Sequence, residues 1–304
     1  MRRLLLVADL TRSALPVVAA LVACAFGAAC SRSSDEAAPA WATPAVTLNR
    51  TDASVGAPID VTYRFIVAAD AQPVSGDHLV FVHFLDRDGE LLWTDDHQPG
   101  KPVAQWKAGE TIEYPRTVFV PKVSYTGPIS IDVGIYAPGS GDRLPLGGES
   151  VGMRAYRVAR FDIRESGDNV FLVFKSGWHD AEVADPASGI EWQWSKKEGV
   201  LSFRNPRRDV ELLLDVDQPV TAISPPQHVE LHVGSTVIDS FDLPPGQRVL
   251  RRLRVPAAQL GTADTVELRI VVDRTVVPAA IPSLKSGDSR ELGIRVFHAY
   301  VEPK

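Results

Sequence analysis

The stretch HLVFVHFLDRDGELLWTDDHQP, residues 78–99, gathers histidines and carboxylates around a tryptophan, which makes it the first place to look for chemistry. His83, Asp95 and His97 offer the imidazole nitrogens and carboxylate oxygens that zinc accepts. A calcium loop of the EF-hand type needs acidic residues at its first, third and fifth places, glycine at the sixth and glutamate at the twelfth. Counted from Asp86, the third place is Asp88, but glycine arrives at the fourth as Gly89 and the twelfth is His97. The spacing fails the calcium test. LDRDGE instead reads as a tight turn, because aspartates bond their own downstream backbone and Gly89 supplies a positive φ. His83 lies among Phe81, Val82 and Phe84, where a histidine is more often a hydrogen-bonded core residue than a ligand. The stretch therefore predicts a β-hairpin with a polar rim, with no metal site and no cofactor.

A second polar cluster is GWHDAE, in which His179, Asp180 and Glu182 accompany Trp178. As the loop rim of a binding face it needs no catalytic machinery. Close by, EWQWS sets Trp192 and Trp194 two residues apart, so in a strand they share a face. Exposed beside Trp178, these indoles would make a flat apolar platform of the kind that stacks on sugar rings, with polar neighbours fixing orientation. Buried, they would be the core of a sandwich that has no disulfide to help it. Both readings stand at this level. Trp178, His179, Trp192 and Trp194 are thus the candidate ligand-binding residues, and no catalytic residue is assigned. The spacings H-E-x-x-H, G-x-G-x-x-G and G-x-x-x-x-G-K do not occur. Carboxylate pairs such as Asp142 with Glu149, or Asp209 with Asp215, could flank a glycosidic bond only if the fold converged them.

A chain of 304 residues has room for about two domains, each with its own core. A net charge of −6 gives no electrostatic footprint for nucleic acid. The local basic runs, Arg207-Arg208 and Arg251-Arg252-Leu253-Arg254, read as solvated strand edges. Cys24 and Cys30 are the only cysteines, which excludes a disulfide framework, thiol catalysis and a cysteine-based zinc site from the rest of the chain.

Both cysteines end an apolar N-terminal run. Arg2, Arg3 and Arg12 form a positive leader, Ala14 to Ala29 is apolar and rich in small residues, and the chain turns polar from Ser31. That is the pattern of a secretory signal followed by a tether, and the uncharged run is short for a span of about 20 residues. A cysteine directly after small residues resembles the lipobox of bacterial lipoproteins, and this resemblance implies a diacylated cysteine as the mature N-terminus. LVAC before Cys24 is the better motif match. GAAC before Cys30 stands where the polar tether begins, and Cys30 is preferred with Cys24 as the alternative. The expected organisation is a signal peptide over 1–29 and a flexible tether over 30–43.

From there the pattern is short β segments bounded by Gly, Pro, Asn and Asp. IDVTYRFIVA, HLVFVHFL, TVFVP and ISIDVGIYA belong to about seven strands over 44–163, the size of an immunoglobulin-like sandwich. Pro115 cannot donate to a central ladder and should lie at an edge or bulge. A second set of about eight strands over 164–304, divided from the first in RESGD, fits a jelly roll. Within it Gly234-Ser235 suits a two-residue primed turn, and VPAAQLG one helical turn between Pro256 and Gly261. The fold class expected is all-β, two antiparallel sandwiches in tandem.

VFVHFLDRDGELLWTDDHQP, QWKAGE and VGIYAPGSGDRLPL resemble β-sandwich domains of bacterial envelope proteins, some appended to membrane glycosyltransferases. GWHDAE, WQWS and RELGIRVFHAYVEP are similar to galactose-binding-like jelly rolls, a carbohydrate-binding type. These resemblances imply an accessory or glycan-related role and carry no catalytic motif onto this chain. The function expected is a non-catalytic, lipid-anchored binding or scaffolding protein on the extracytoplasmic side of the envelope. Its partners would be the membrane, through the anchor, and envelope polysaccharide or an envelope protein. A protein–protein assembly module and a glycan hydrolase are the alternatives.

Overall fold

The computed structural model describes residues 38–165, 170, 172–184, 190–220 and 226–304. Cys24, Cys30, the signal peptide, most of the tether and part of RESGD lie outside the described residues.

Strict alternation builds the first sandwich. In PIDVTYRFIV, Ile59, Val61, Tyr63, Phe65 and Val67 are buried, while Asp60, Thr62, Arg64 and Ile66 turn outward. The strands in chain order are β1 (Ala42–Leu48), β2 (Asp52–Ser54), β3 (Pro58–Val67), β4 (Leu79–Leu85), β5 (Leu91–Thr94), β6 (Thr111–Phe119), β7 (Gly127–Tyr136), β8 (Glu149–Gly152) and β9 (Ala155–Arg164). One sheet runs β1-β3-β6 and the facing sheet β2-β9-β7-β4-β5, with β8 hydrogen-bonded to β9. Pro115 sits on β6, an edge strand, where its missing N–H costs no central ladder bond. The two sheets enclose Tyr63, Phe65, Phe84, Ile131 and Trp106 among others.

The second sandwich adds β10 (Val173–Phe174), β11 (Glu182–Val183), β12 (Glu191–Trp194), β13 (Glu198–Arg204), β14 (Val210–Asp217), β15 (Gln227–Val233), β16 (Thr236–Leu243), β17 (Arg248–Val255), β18 (Thr265–Val272) and β19 (Arg295–Pro303). Its sheets are β10-β13-β18-β15-β16 and β11-β12-β19-β14-β17, packed over Leu201, Leu214, Leu231, Ile270 and Val296. The β15–β16 hairpin turns on Gly234-Ser235, with Val233 opposite Thr236 and positive φ at Gly234 alone. The expected helical turn forms as α1 (Ala257–Leu260), flanked by Pro256 and by Gly261 at φ 72°. The described residues are all-β, and every strand pairing is antiparallel except β2 with β9.

The two sandwiches touch through a few side chains. Arg50 Nη1 donates to Glu302 at 2.9 Å and Arg252 Nη2 to Asp60 at 2.6 Å. Phe119 stacks on His298 with ring centroids 4.1 Å apart and planes 1° from parallel. Tyr300, on β19, packs against the core of the first sandwich.

Candidate functional site

The 78–99 stretch resolves into structure. Asp86 Oδ1 accepts from the backbone N–H groups of Asp88 and Glu90, each at 2.9 Å, and Gly89 takes φ 86°. Asp95 holds the Arg116 guanidinium with two bonds of 2.7 and 2.9 Å. His97 is buried, with Nδ1 at 2.7 Å from the Asp95 carbonyl and Nε2 at 2.9 Å from the Tyr114 hydroxyl. Burial, with Arg116 adding to it, holds the His97 pKa below its ordinary value. The hydrogen-bonded core histidine is therefore His97, not His83. His83 shows its ring to Phe81 on the outer face of β4, because Val82 and Phe84 take the inward positions. Among the described residues no group of three or more His, Cys, Asp or Glu could hold a metal ion.

The four candidate residues divide. Trp178 packs on the core of the second sandwich, donates its indole N–H to the Val200 carbonyl at 2.8 Å and meets Phe174 edge-on at 4.8 Å. His179 Nε2 lies 2.7 Å from the Glu291 carbonyl, and its backbone N–H donates to Trp194. Trp194 is 6% exposed, in a small cluster with Val276 and Leu292. Trp192 is only half-buried at the margin of that cluster. The fold thus brings Trp192 and Trp194 to one face and leaves Trp178 in a different hydrophobic cluster. Asp180 is exposed, and Glu182 receives a 2.6 Å bond from Arg290.

What Trp192 joins is a strip of residues remote in sequence. Residues opposite one another in an antiparallel pair lie on the same face. Register sets Trp194 and Asp217 against Arg295, and Asp217 against Arg248. Leu212, Leu214 and Val216 of β14 point into the core, so Asp215 and Asp217 project from the outer face. The β14–β19 register slips between Asp215 and Val216, whose partners are His298 and Val296. This bulge inserts Phe297 and turns both Phe297 and His298 outward, the re-aiming that bulges provide.

The result alternates rings and cations. The Arg295 guanidinium lies 4.7 Å from the Trp192 ring centroid and 5.1 Å from that of Phe297, and Arg248 lies 3.8 Å from Phe297. Each arginine is aligned by an aspartate through its Nε and Nη2: Arg295 on Asp217 at 2.7 and 2.6 Å, Arg248 on Asp215 at 2.7 and 2.5 Å. His298 Nδ1 adds a contact of 2.9 Å to Asp215. Burial raises the Asp215 pKa, but the bonds from Arg248 and His298 outweigh it and hold the carboxyl below its usual range. The Trp192 indole N–H has no hydrogen-bond partner among the described residues.

Loops carrying Val276 and Leu292 cover the face at Trp194, and the first sandwich covers it at His298 and Tyr300. Trp192, Arg295, Phe297, Arg248 and Leu250 lie between, all half-buried or exposed. Chemically this is a polar-aromatic shelf. It offers ring faces and fixed N–H donors to a flat, hydroxyl-bearing ligand.

No family model matches the chain. No curated protein matches it either. Among solved structures, a carbohydrate-binding module, CBM36, in complex with calcium and xylotriose aligns at 11% identity, over 44% of this chain and 99% of that one, with a TM-score of 0.26. A family 35 carbohydrate-binding module from an environmental isolate aligns at 13% identity, over 44% and 97%, also at 0.26. The tandem CBM22 domains of Paenibacillus barcinonensis Xyn10C align at 9% identity, over 86% and 91%, again at 0.26. TM-scores of this size fall short of a shared fold, and no ligand or activity is carried over from these proteins.

Of the strip, Trp192 was legible in the sequence, whereas Arg248, Arg295, Phe297 and His298 were not. The visible signal was Arg295-x-Phe297 beside Trp192-x-Trp194, two alternating pairs. Nothing in the sequence announces the bulge that aligns them.

Proposed function

We propose that this chain is a non-catalytic binding module of the bacterial cell envelope, anchored by lipid at Cys30 or, alternatively, Cys24, and that it binds glycan on the Trp192–Arg295–Phe297–Arg248 strip. The observation that carries the reading is the alternation of two guanidinium groups with two aromatic rings, 3.8 to 5.1 Å apart, on a partly open sheet face. Pyranose rings present apolar faces that stack on such rings and hydroxyls that accept from fixed N–H donors. Arg248 and Arg295 each use the Nε and Nη2 edge on an aspartate, and neither Nη1 has a hydrogen-bond partner among the described residues.

Asp215 does not suit the role of a general acid. A general acid needs a pKa raised toward the working pH, whereas Asp215 is held low by Arg248 and His298. The lipobox resemblance supports the anchor.

Retention of the protein on immobilised envelope polysaccharide tests the reading. Wild type should be retained and Phe297→Ala should elute with the void, both with the same far-ultraviolet circular dichroism. Equal retention of the two would remove the strip from the account, and turnover of the polysaccharide would overturn the non-catalytic assignment.

A further inference from the structure

The hairpin joining β8 to β9 is built against preference. Gly152 pairs with Ala155, so the turn consists of Met153 and Arg154, with φ 49° and 51°. A two-residue turn with both central φ values positive favours Asn-Gly, since a Cβ crowds the backbone in that region. Here it holds two large side chains, and Met153 is 77% exposed, the most exposed large hydrophobic residue among those described. Val151, on the same strand, is 40% exposed. Two interlocked arginines hold the tip. Arg143 Nη1 donates to the Met153 carbonyl at 2.7 Å, and Arg154 donates back to the Arg143 carbonyl. Beside them an open cavity of about 350 Å³ is lined by Gly141, Asp142, Arg143, Met153 and Arg154. Strained backbone that displays an apolar side chain points to a contact made by the tip.

The topology says what lies there. The Trp41 backbone N–H donates to the Pro145 carbonyl at 2.7 Å and Gly147 donates to Ala42 at 2.8 Å, so the chain enters the first sandwich next to the 137–148 connection. Arg154 reaches the same end of the sandwich, its carbonyl lying 2.8 Å from where a Cβ on Gly134 would stand. The opposite end of β7 begins at Gly127, paired with Ile163, and from there the chain passes to the second sandwich. Ten residues of β7 at about 3.3 Å each separate the two ends by about 30 Å. The eight links from Cys30 to Ala38 reach at most about 28 Å.

We infer that the Met153 hairpin and its arginine-lined cavity rest on the lipid surface that carries the chain's own anchor. Met153 and Val151 enter the acyl boundary, the guanidinium groups of Arg143 and Arg154 meet lipid phosphates, and Asp142 stays at the aqueous side. The first sandwich then acts as a spacer that holds the second outward. This rests on the lipid-anchor reading above.

The test places a cysteine labelled with nitrobenzoxadiazole at Met153 (Met153→Cys) or at the far hairpin (Thr236→Cys) in the full acylated protein. The protein is reconstituted in vesicles of phosphatidylethanolamine and phosphatidylglycerol containing spin-labelled lipid. Mass spectrometry of the mature protein establishes acylation and single labelling. The label at 153 should lose several-fold in intensity, and the label at 236 should be unchanged. Acylated protein with an unquenched label at 153, as when the tip meets another protein, overturns the inference alone. Equal quenching at both sites also overturns it, since the molecule would then lie flat. Absence of acylation sinks the anchor reading itself.

Discussion

Replacing Trp194 by alanine separates the two fates of the paired tryptophans. Its indole is 6% exposed against Val276 and Leu292, with Val220, Ile281 and Trp192 beside it. An aromatic side chain of this size removes about 200–250 Å² from water, which at about 25 cal/mol per Å² is an upper figure of about 5–6 kcal/mol. The surrounding loops can settle into part of the gap, so about 3–5 kcal/mol is the expected loss. With a urea dependence of about 2 kcal/mol per molar, the unfolding midpoint should fall by about 2 M. Trp192 is only half-buried, and Trp192→Ala should cost about half as much. Urea titration followed by circular dichroism measures both shifts. A Trp194→Ala midpoint within a few tenths of molar of wild type would show that the indole contributes no core packing, and the assignment of that cluster would be wrong.

Other outcomes follow from the same geometry. A Cβ on Gly134 would stand 2.2 Å from the Phe81 ring, so Gly134→Ala should destabilise the first sandwich by about 1–3 kcal/mol, and adding Phe81→Leu should restore part of it in the same melts. His97 is held neutral by burial and by Arg116, so the unfolded chain takes up the proton first. Stability should fall as pH drops below about 6.5, and His97→Gln should flatten that limb of a pH–stability curve. Asp215 has the same sign at lower pH: its depressed pKa gives stability above the ordinary carboxylate range that is lost as pH falls through its folded value. Acid titration of Asp215→Asn should lack that component. The Arg252–Asp60 pair across the two sandwiches is about one-third exposed on both sides. Its coupling in a double-mutant cycle should be below about 1 kcal/mol, with Phe119→Ala weakening the contact more.

Local chemistry was legible in the sequence wherever a short-range rule decides the outcome. Gly89 in its aspartate turn, Pro115 on an edge strand, the Gly234-Ser235 hairpin and the Pro256-to-Gly261 helical turn each follow from the backbone freedom of a few residues. The first sandwich has nine described strands where alternation suggested about seven, because the short β2 and β8 carry too few residues to show a period. The second has ten where about eight were expected, with β10 and β11 only two residues long. The Trp192–Trp194 relation was readable because both lie on one strand. Their separation from Trp178 was not, since which sheet a loop indole packs against is set by tertiary contact. Arg248, Phe297 and Trp192 meet only because three strands remote in sequence align around a register slip, and no local period encodes a slip.

The central claim is that the outer face of β12, β19, β14 and β17 binds glycan. Isothermal titration of the full chain with soluble envelope oligosaccharide, comparing wild type, Phe297→Ala and the distant surface variant Val237→Ala, tests it most directly. Saturable heat is expected for wild type and Val237→Ala, with at least a tenfold loss for Phe297→Ala at unchanged melting temperature. Undiminished binding by Phe297→Ala would contradict it.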